Sequence, residues 1–214
     1  MDVRETIYQR RSIRAFTSKP VSKKALLHLL DAAIQAPSAR NMQPWQFIMI
    51  TGKARDRLVH RLTSRYAEEL AQGIQPPAMD LAEPFQSRVR RLMEALQPFA
   101  DQEPHFDLMQ GSLHFYGAPA VILLCLDKSL PADRLFDLGA AVQNLLLLAA
   151  SQGLGTCVIG IVLRYRDLIL EELQLPAGVN PVMTLAVGFP DAAHPITAFK
   201  SGRQDLSDFL TWIE

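Results

Sequence analysis

The amino-acid sequence predicts an α/β or α+β sandwich in which helices cover one central sheet on both faces. Three observations predict it. Short, fully apolar runs rich in β-formers alternate with longer stretches of helical periodicity, the pattern of strands buried from two sides. The 214 residues, 49% hydrophobic and 21% charged, suit one domain spanning 1–214 and exclude collagen-like, largely disordered and disulfide-scaffold folds. A formal net charge of +0, from 22 Lys+Arg against 22 Asp+Glu, leaves no global field for nonspecific nucleic-acid binding or attachment to anionic membranes.

The elements follow in order. A helix runs from Asp2 to about Gln9, and a second begins after Pro20 with Ser22 as its N-cap. In the second, Leu26, Leu27, Leu30, Ala33 and Ile34 recur at helical spacing and Pro37 stops it. Trp45 to Thr51 is a buried strand closed by Gly52, and a helical stretch runs from Lys53 to Ala71. From Gly73 to about Phe106, Pro76, Pro77, Pro84, Pro98 and Pro104 punctuate a charged region with one helix near Phe85 to Leu96. It has too few apolar residues for its own core and reads as an excursion or lid.

Ala120 to Leu126 is the second strand, and Pro131 starts a long helix, Ala132 to Gln152, stopped by Gly153. Thr156 to Val162 is a third strand, Tyr165 to Leu173 a helix, and Val182 to Val187 a fourth strand ending at Gly188. The tail from His194 to Glu214 is amphipathic and ends in Phe209, Leu210, Trp212 and Ile213. Leu138 to Leu163 has no charged residue and is long enough to span a bilayer, but Gln143, Asn144, Ser151, Gln152, Gly153 and Gly155 interrupt it, and a buried helix leading into a buried strand explains those breaks. Met1 to Arg14 lacks the apolar centre of a signal peptide, so the cytoplasm is the expected compartment.

Three constellations can carry chemistry. Arg10, Arg11, Ser12 and Arg14 offer guanidinium forks and a hydroxyl to phosphate oxygens; a solvated basic turn accounts for the same residues. The loop Ala36 to Trp45, with Asn41 and Gln43, presents amide donors and acceptors suited to the edge of a planar heterocycle; it also reads as a capping loop. Gly139 to Asn144, continuing through a Leu/Ala-rich helix into Gly153 to Gly160, carries small residues that permit close approach of a flat ligand or merely of another helix. Cys125 and Cys157 lie in apolar stretches without a partner at metal-ligand spacing, and the five histidines are scattered, so no metal site is expected. Dinucleotide, P-loop, nucleophile-elbow and zinc-protease motifs are missing.

In this order, the segments RRSIRAF with Pro20-Val21, APSARNMQPWQF, GAAVQNLLLLAASQGLGTCVIG and TLAVGFP, with Arg203 in the tail, resemble the nitroreductase family of flavin mononucleotide (FMN) enzymes. The resemblance implies an α+β fold, a three-layer arrangement with a mixed central sheet wrapped by helices, in an intertwined homodimer with FMN at the interface. It assigns Arg10, Arg11, Ser12 and Arg14 to the flavin phosphate and pyrimidine edge. Pro37, Ser38, Ala39, Asn41 and Gln43 would reach the flavin from the partner subunit, Val158, Ile159 and Gly160 would give backbone contacts near flavin N5, and Arg203, then Lys200, would meet the phosphate. Only Lys53 to about Phe115 has no matching motif. Some members carry Glu immediately before the glycine matched by Gly160, where this chain has Ile159, so their nicotinamide preference is not carried over.

The activity implied is ping-pong transfer from NADH or NADPH through FMN to a nitroaromatic, a quinone or a related electron-poor small molecule, the cofactor carrying the chemistry and no side chain acting as acid or base. A specialised enzyme of the same superfold (reductive dehalogenase, enone reductase, azoline oxidase or flavin-fragmenting enzyme) and a flavin-binding sensor without turnover are the competing readings.

Overall fold

Every residue from Ala120 to Leu126 is buried, and such a strand needs apolar cover on both faces. In the computed structural model, which describes residues 2–75, 80–102 and 108–214, four strands form one sheet. These are β1 (Gln46–Thr51), β2 (Ala120–Asp127), β3 (Gly155–Ile159) and β4 (Val179–Gly188), in the order β1-β2-β4-β3. They pair antiparallel, and a parallel contact enters where Ser12 bridges Thr156 of β3. Seven helices pack around them among the described residues: α1 (Val3–Gln9), α2 (Lys23–Ala33), α3 (Gly52–Ala71), α4 (Glu83–Gln102), α5 (Leu108–Leu113), α6 (Arg134–Ser151) and α7 (Arg166–Glu172).

Alternate residues of β2 serve two cores. Val121, Leu123 and Cys125 join Leu58 and Leu62 of α3, Leu113 of α5 and Ile169 of α7. Ile122, Leu124 and Leu126 join Leu26 and Leu29 of α2 and Leu138, Leu145 and Ala149 of α6. Each fully buried leucine contributes about 1.5–3 kcal/mol, so cover from both faces fixes the sheet. Among the described residues no helix is long and apolar enough to cross a membrane.

The capping expectation holds at Ser22, which accepts the Ala25 N–H at 3.2 Å; the first helix starts one residue later than expected, at Val3, because Asp2 caps it and accepts the Glu5 N–H at 2.9 Å. Other boundaries move for physical reasons. The third strand stops at Ile159, whose carbonyl accepts the Thr184 hydroxyl at 2.8 Å, and Ile161–Tyr165 turns into a 3-10 segment. The fourth strand starts earlier than expected, at Val179, and passes through Pro181. A proline cannot donate to a ladder, and the register shifts between Leu124 and Cys125, opposite Pro181 and Met183, to accommodate it. The helix expected near Phe85 to Leu96 extends over Glu83–Gln102 and runs through Pro98. Leu92, Leu96 and Phe99 keep helical spacing and pack with Ala15, Ile196 and Phe199, and burying that stripe outweighs one missing N–H bond. The short helix α5 falls where the sequence offered no pattern. Pro76, Pro77, Pro104 and Phe106 lie outside the described residues.

The tail forms only single 3-10 turns at Pro195–Ala198 and Leu206–Asp208. Leu206, Phe209, Leu210, Trp212 and Ile213 are all exposed.

Candidate functional site

The Arg10–Arg14 segment is fixed to the β3 edge by its own backbone. Arg10 caps α1, the Ile13 N–H donates to the Thr156 carbonyl at 2.9 Å, and the Thr17 N–H donates to the Phe189 carbonyl at 3.0 Å. Ile13, Ala15 and Phe16 are buried. Gly155 permits this approach, because a Cβ there would lie 2.8 Å from Ile13 Cγ1. Anchored in this way, the segment holds Arg10, Ser12 and Arg14 partly open.

Arg11 donates from Nε to the Thr197 carbonyl at 2.9 Å, tying the start of the tail to this edge. The tail in turn brings Arg203 to Arg10, whose pKa is held below the ordinary guanidinium range by burial and then by the Arg203 charge. Arg203 Nη1 donates to Ser201 Oγ at 2.9 Å and to the Gly202 carbonyl at 2.9 Å, while Lys200 is exposed beside it. Behind the segment, burial pushes the Cys157 thiol up to about 11 against the opposing pull of Arg14, Ser12 and Arg10. The thiol is a packing group under a cationic surface.

Sequence reasoning missed Tyr116. Its phenol lies 3.0 Å from the Ser112 hydroxyl, and its pKa is raised by burial and by Cys157, with Ser112 and Arg14 pulling it down. Phe115, Tyr116 and Gly117 are consecutive left-handed residues with φ of 52°, 53° and 80°. Gly111 leaves room for the ring: a Cβ there would meet Tyr116 at 2.6 Å. The glycines at 111 and 117 were the available signal.

The Pro37–Gln43 loop is built differently. Arg40, Asn41 and Gln43 adopt φ of 53°, 56° and 49°, and none of residues 37–43 is buried. Ser38 Oγ accepts the Gln43 N–H at 3.0 Å, and Asp137 Oδ2 of α6 accepts the Ala39 N–H at 3.4 Å. Asp137, 4% exposed, is itself held by Arg134 Nη1 at 2.8 Å. This buried carboxylate is a second group the sequence reading overlooked, since an Asp at the start of a helix ordinarily signals only a favourable first turn.

At the far end of β3, Val158 is 41% exposed between buried neighbours, Ile159 turns inward, and Gly160 is exposed. The following turn is clamped to α3, where Glu69 Oε2 accepts Arg164 Nη2 at 2.9 Å and the Tyr165 hydroxyl at 3.0 Å. Despite burial that raises it, these two partners hold the Glu69 carboxyl below its ordinary value.

Arg10, Ser12, Arg14, Arg203 and the Val158–Gly160 stretch therefore share the β3 edge. Pro37, Ser38, Ala39, Asn41 and Gln43 precede β1 at the opposite edge, with β2 and β4 lying between. One chain holds both polar constellations and keeps them apart.

A family model described as the nitroreductase family matches residues 7–189. The chain belongs to the nitroreductase family. The match takes in the Arg10–Arg14 segment, the Pro37–Gln43 loop and β3, and stops short of Lys200 and Arg203. Nitroreductase NfnB of Mycolicibacterium smegmatis is 31% identical over 208 residues, covering 93% of this chain and 87% of that protein. The nitrobenzene nitroreductase of Ectopseudomonas oleovorans is 28% identical over 218 residues, covering 98% and 96%. Among solved structures, the FMN- and NADPH-dependent nitroreductase NfnB of a Sphigopyxis strain superposes with a TM-score of 0.91 at 26% identity over the whole of both chains.

Proposed function

We propose that the protein is an FMN-dependent oxidoreductase that takes hydride from NADH or NADPH and passes it to a nitroaromatic, a quinone or a related electron-poor acceptor. The observation that carries this reading is the pairing of Arg10 with Arg203. Two cations held together, one partly buried, leave an electrostatic deficit that a phosphate dianion relieves. Arg10, Arg11, Ser12, Arg14, Lys200 and Arg203 would hold the flavin phosphate and pyrimidine edge, and Val158, Ile159 and Gly160 would line its reactive centre. When bound, the flavin supplies reversible hydride acceptance, so donor and acceptor take turns at one face. The chain's own groups bind it, orient it and favour its anionic reduced form through the positive charge of Arg14.

The working unit is a homodimer with two flavins at its interface. Supporting this, the Pro37–Gln43 loop sits too far from its own Arg10 and is suited to complete the site of a second copy. The exposed tail needs a partner, and β1 is an edge strand bordered by a cleft of about 810 Å³ that includes Pro20, Leu27, Leu30 and Met49. The chain acts as one flavin-binding domain, 1–214, in the cytoplasm where the reduced nucleotides are made.

The purified protein should be yellow, release FMN on heating, and bleach on anaerobic mixing with NADH or NADPH before an acceptor restores the colour. FAD alone in the released flavin, or apo-protein that takes up no FMN, rejects the reading; flavin that binds and is never reduced by either nucleotide favours the sensor.

A further inference from the structure

A cleft of about 420 Å³ separates α4 from the tail. Arg88 and Arg91 stand on its α4 wall, Lys200 and Arg203 on the other, and no carboxylate lines it. Among the described residues none of these four cations forms an ion pair, although Asp205 and Asp208 follow in the same tail. The α4 wall and the start of the tail wall are fixed. Leu92, Leu96 and Phe99 of α4 pack with Phe199, Ile196 and Ala15, and the Phe99 and Phe199 rings meet edge-on with centroids 5.7 Å apart. Arg88 lies over the Phe209 ring, 5.1 Å from its centroid. Cations so close together with no counter-charge suit a polyanion.

Arg203 and Lys200, with Arg10, already serve one phosphate in the reading above, which leaves Arg88 and Arg91 as surplus charge on the facing wall. We infer that the cleft between α4 and the tail is a phosphomonoester subsite that binds the 2′-phosphate of NADPH, with Arg88 and Arg91 as its selective residues. The apolar surface of Leu92, Ala95 and Phe209 beside these charges suits the purine next to that phosphate, whereas the flavin phosphate hangs from a polar ribityl chain. The inference rests on the proposed use of a nicotinamide donor.

The test uses the flavin-loaded protein. Calorimetry should show adenosine 2′,5′-bisphosphate binding roughly tenfold to a hundredfold more tightly than 5′-AMP, and R88Q/R91Q should erase the difference. In turnover, the NADPH-to-NADH ratio of kcat/KM should fall by a similar factor in R88Q/R91Q, and R88K should keep most of it. A fall in FMN affinity with an unchanged ratio means the cleft serves the flavin phosphate and overturns the inference. Equal binding of the two adenosine nucleotides by the wild type overturns it as well. Failure of the wider reading is separate, because nucleotide binding is measured without any acceptor or flavin reduction.

Discussion

The Arg10–Arg14 segment lies against β3 with Ile13, Ala15 and Phe16 buried beneath it, whereas no residue from Pro37 to Gln43 is buried. Both carry polar groups that the proposed function assigns to the flavin, yet the fold invests in them unequally. The first segment is positioned by sheet pairing and apolar burial, so its geometry is complete in one chain. The second is held in three left-handed conformations, each costing about 1–2 kcal/mol except where Asn or Gly eases it, and is tied to the fold by Asp137 through one long hydrogen bond. Strained, exposed and polar, the loop has the character of a surface completed by another molecule. In the proposed homodimer, a site divided between a rigid half and a half awaiting its partner would couple cofactor binding to assembly.

The strongest test of that division mixes two damaged subunits. Arg10→Ala should empty both flavin sites of a homodimer, and Asn41→Ala should weaken both. If each site takes the arginine segment from one chain and the loop from the other, a tagged heterodimer of the two variants regains one intact site and about half the wild-type flavin. A heterodimer with neither site restored means that each chain builds its own, and the proposed division is wrong.

Asp137→Asn probes the loop's one anchor. It leaves half-buried Arg134 with Asp133 as its one remaining carboxylate partner among the described residues, puts a neutral amide in place of the buried charge and weakens the hold on Ala39, so the melting temperature should drop by roughly 2–6 °C. Flavin affinity should fall with it. Retained affinity in a destabilised protein would make Asp137 a purely structural residue.

The thiol behind the rigid half offers a pH readout. Burial raises Cys157 to about 11, so the fold favours the protonated thiol. Its contribution to stability is complete below the unfolded thiol's pKa of about 8.5 and is lost as pH rises toward 11. Thermal unfolding from pH 8 to 10.5 should show a steeper alkaline decline for the wild type than for Cys157→Ser, and iodoacetamide should label Cys157 at pH 8 only after denaturation. Rapid labelling of the native protein would place the thiol at the surface.

The smallest effect belongs to the loop backbone. Arg40→Gly removes one left-handed side chain and should stabilise the fold by about 0.5–1 kcal/mol, the gain being reduced by the greater freedom of glycine in the unfolded chain. Chemical denaturation resolves the sign, and a destabilised variant would mean that Arg40 makes contacts in the assembled protein that outweigh its strain.

Much of the fold was legible because local chemistry decided it. The AVILLCL run could only be a strand covered on two faces, and Ser22 carried its capping role in plain sight. The Pro181 bulge escaped detection because proline reads locally as a break, and the neighbouring strand that absorbs it is 56 residues earlier in sequence, as the Cys125–Pro181 register leaves it. Helix α4 outran its proline for a similar reason: the stripe that carries it is rewarded by Ala15, Ile196 and Phe199, distant in the chain.

For the site, the sequence by itself determined which groups are present: the arginines, the amide loop, and the small residues at Gly155 and Gly160. Only the tertiary structure decided which of them meet. Strand order sends the Pro37–Gln43 loop to one edge and Arg10 to the other, and the tail's return through Thr197 brings Arg203 back to Arg10. Tyr116, Asp137 and the facing pair Arg88 and Arg91 had no legible motif, because charge and burial act through space while a motif records only neighbours along the chain.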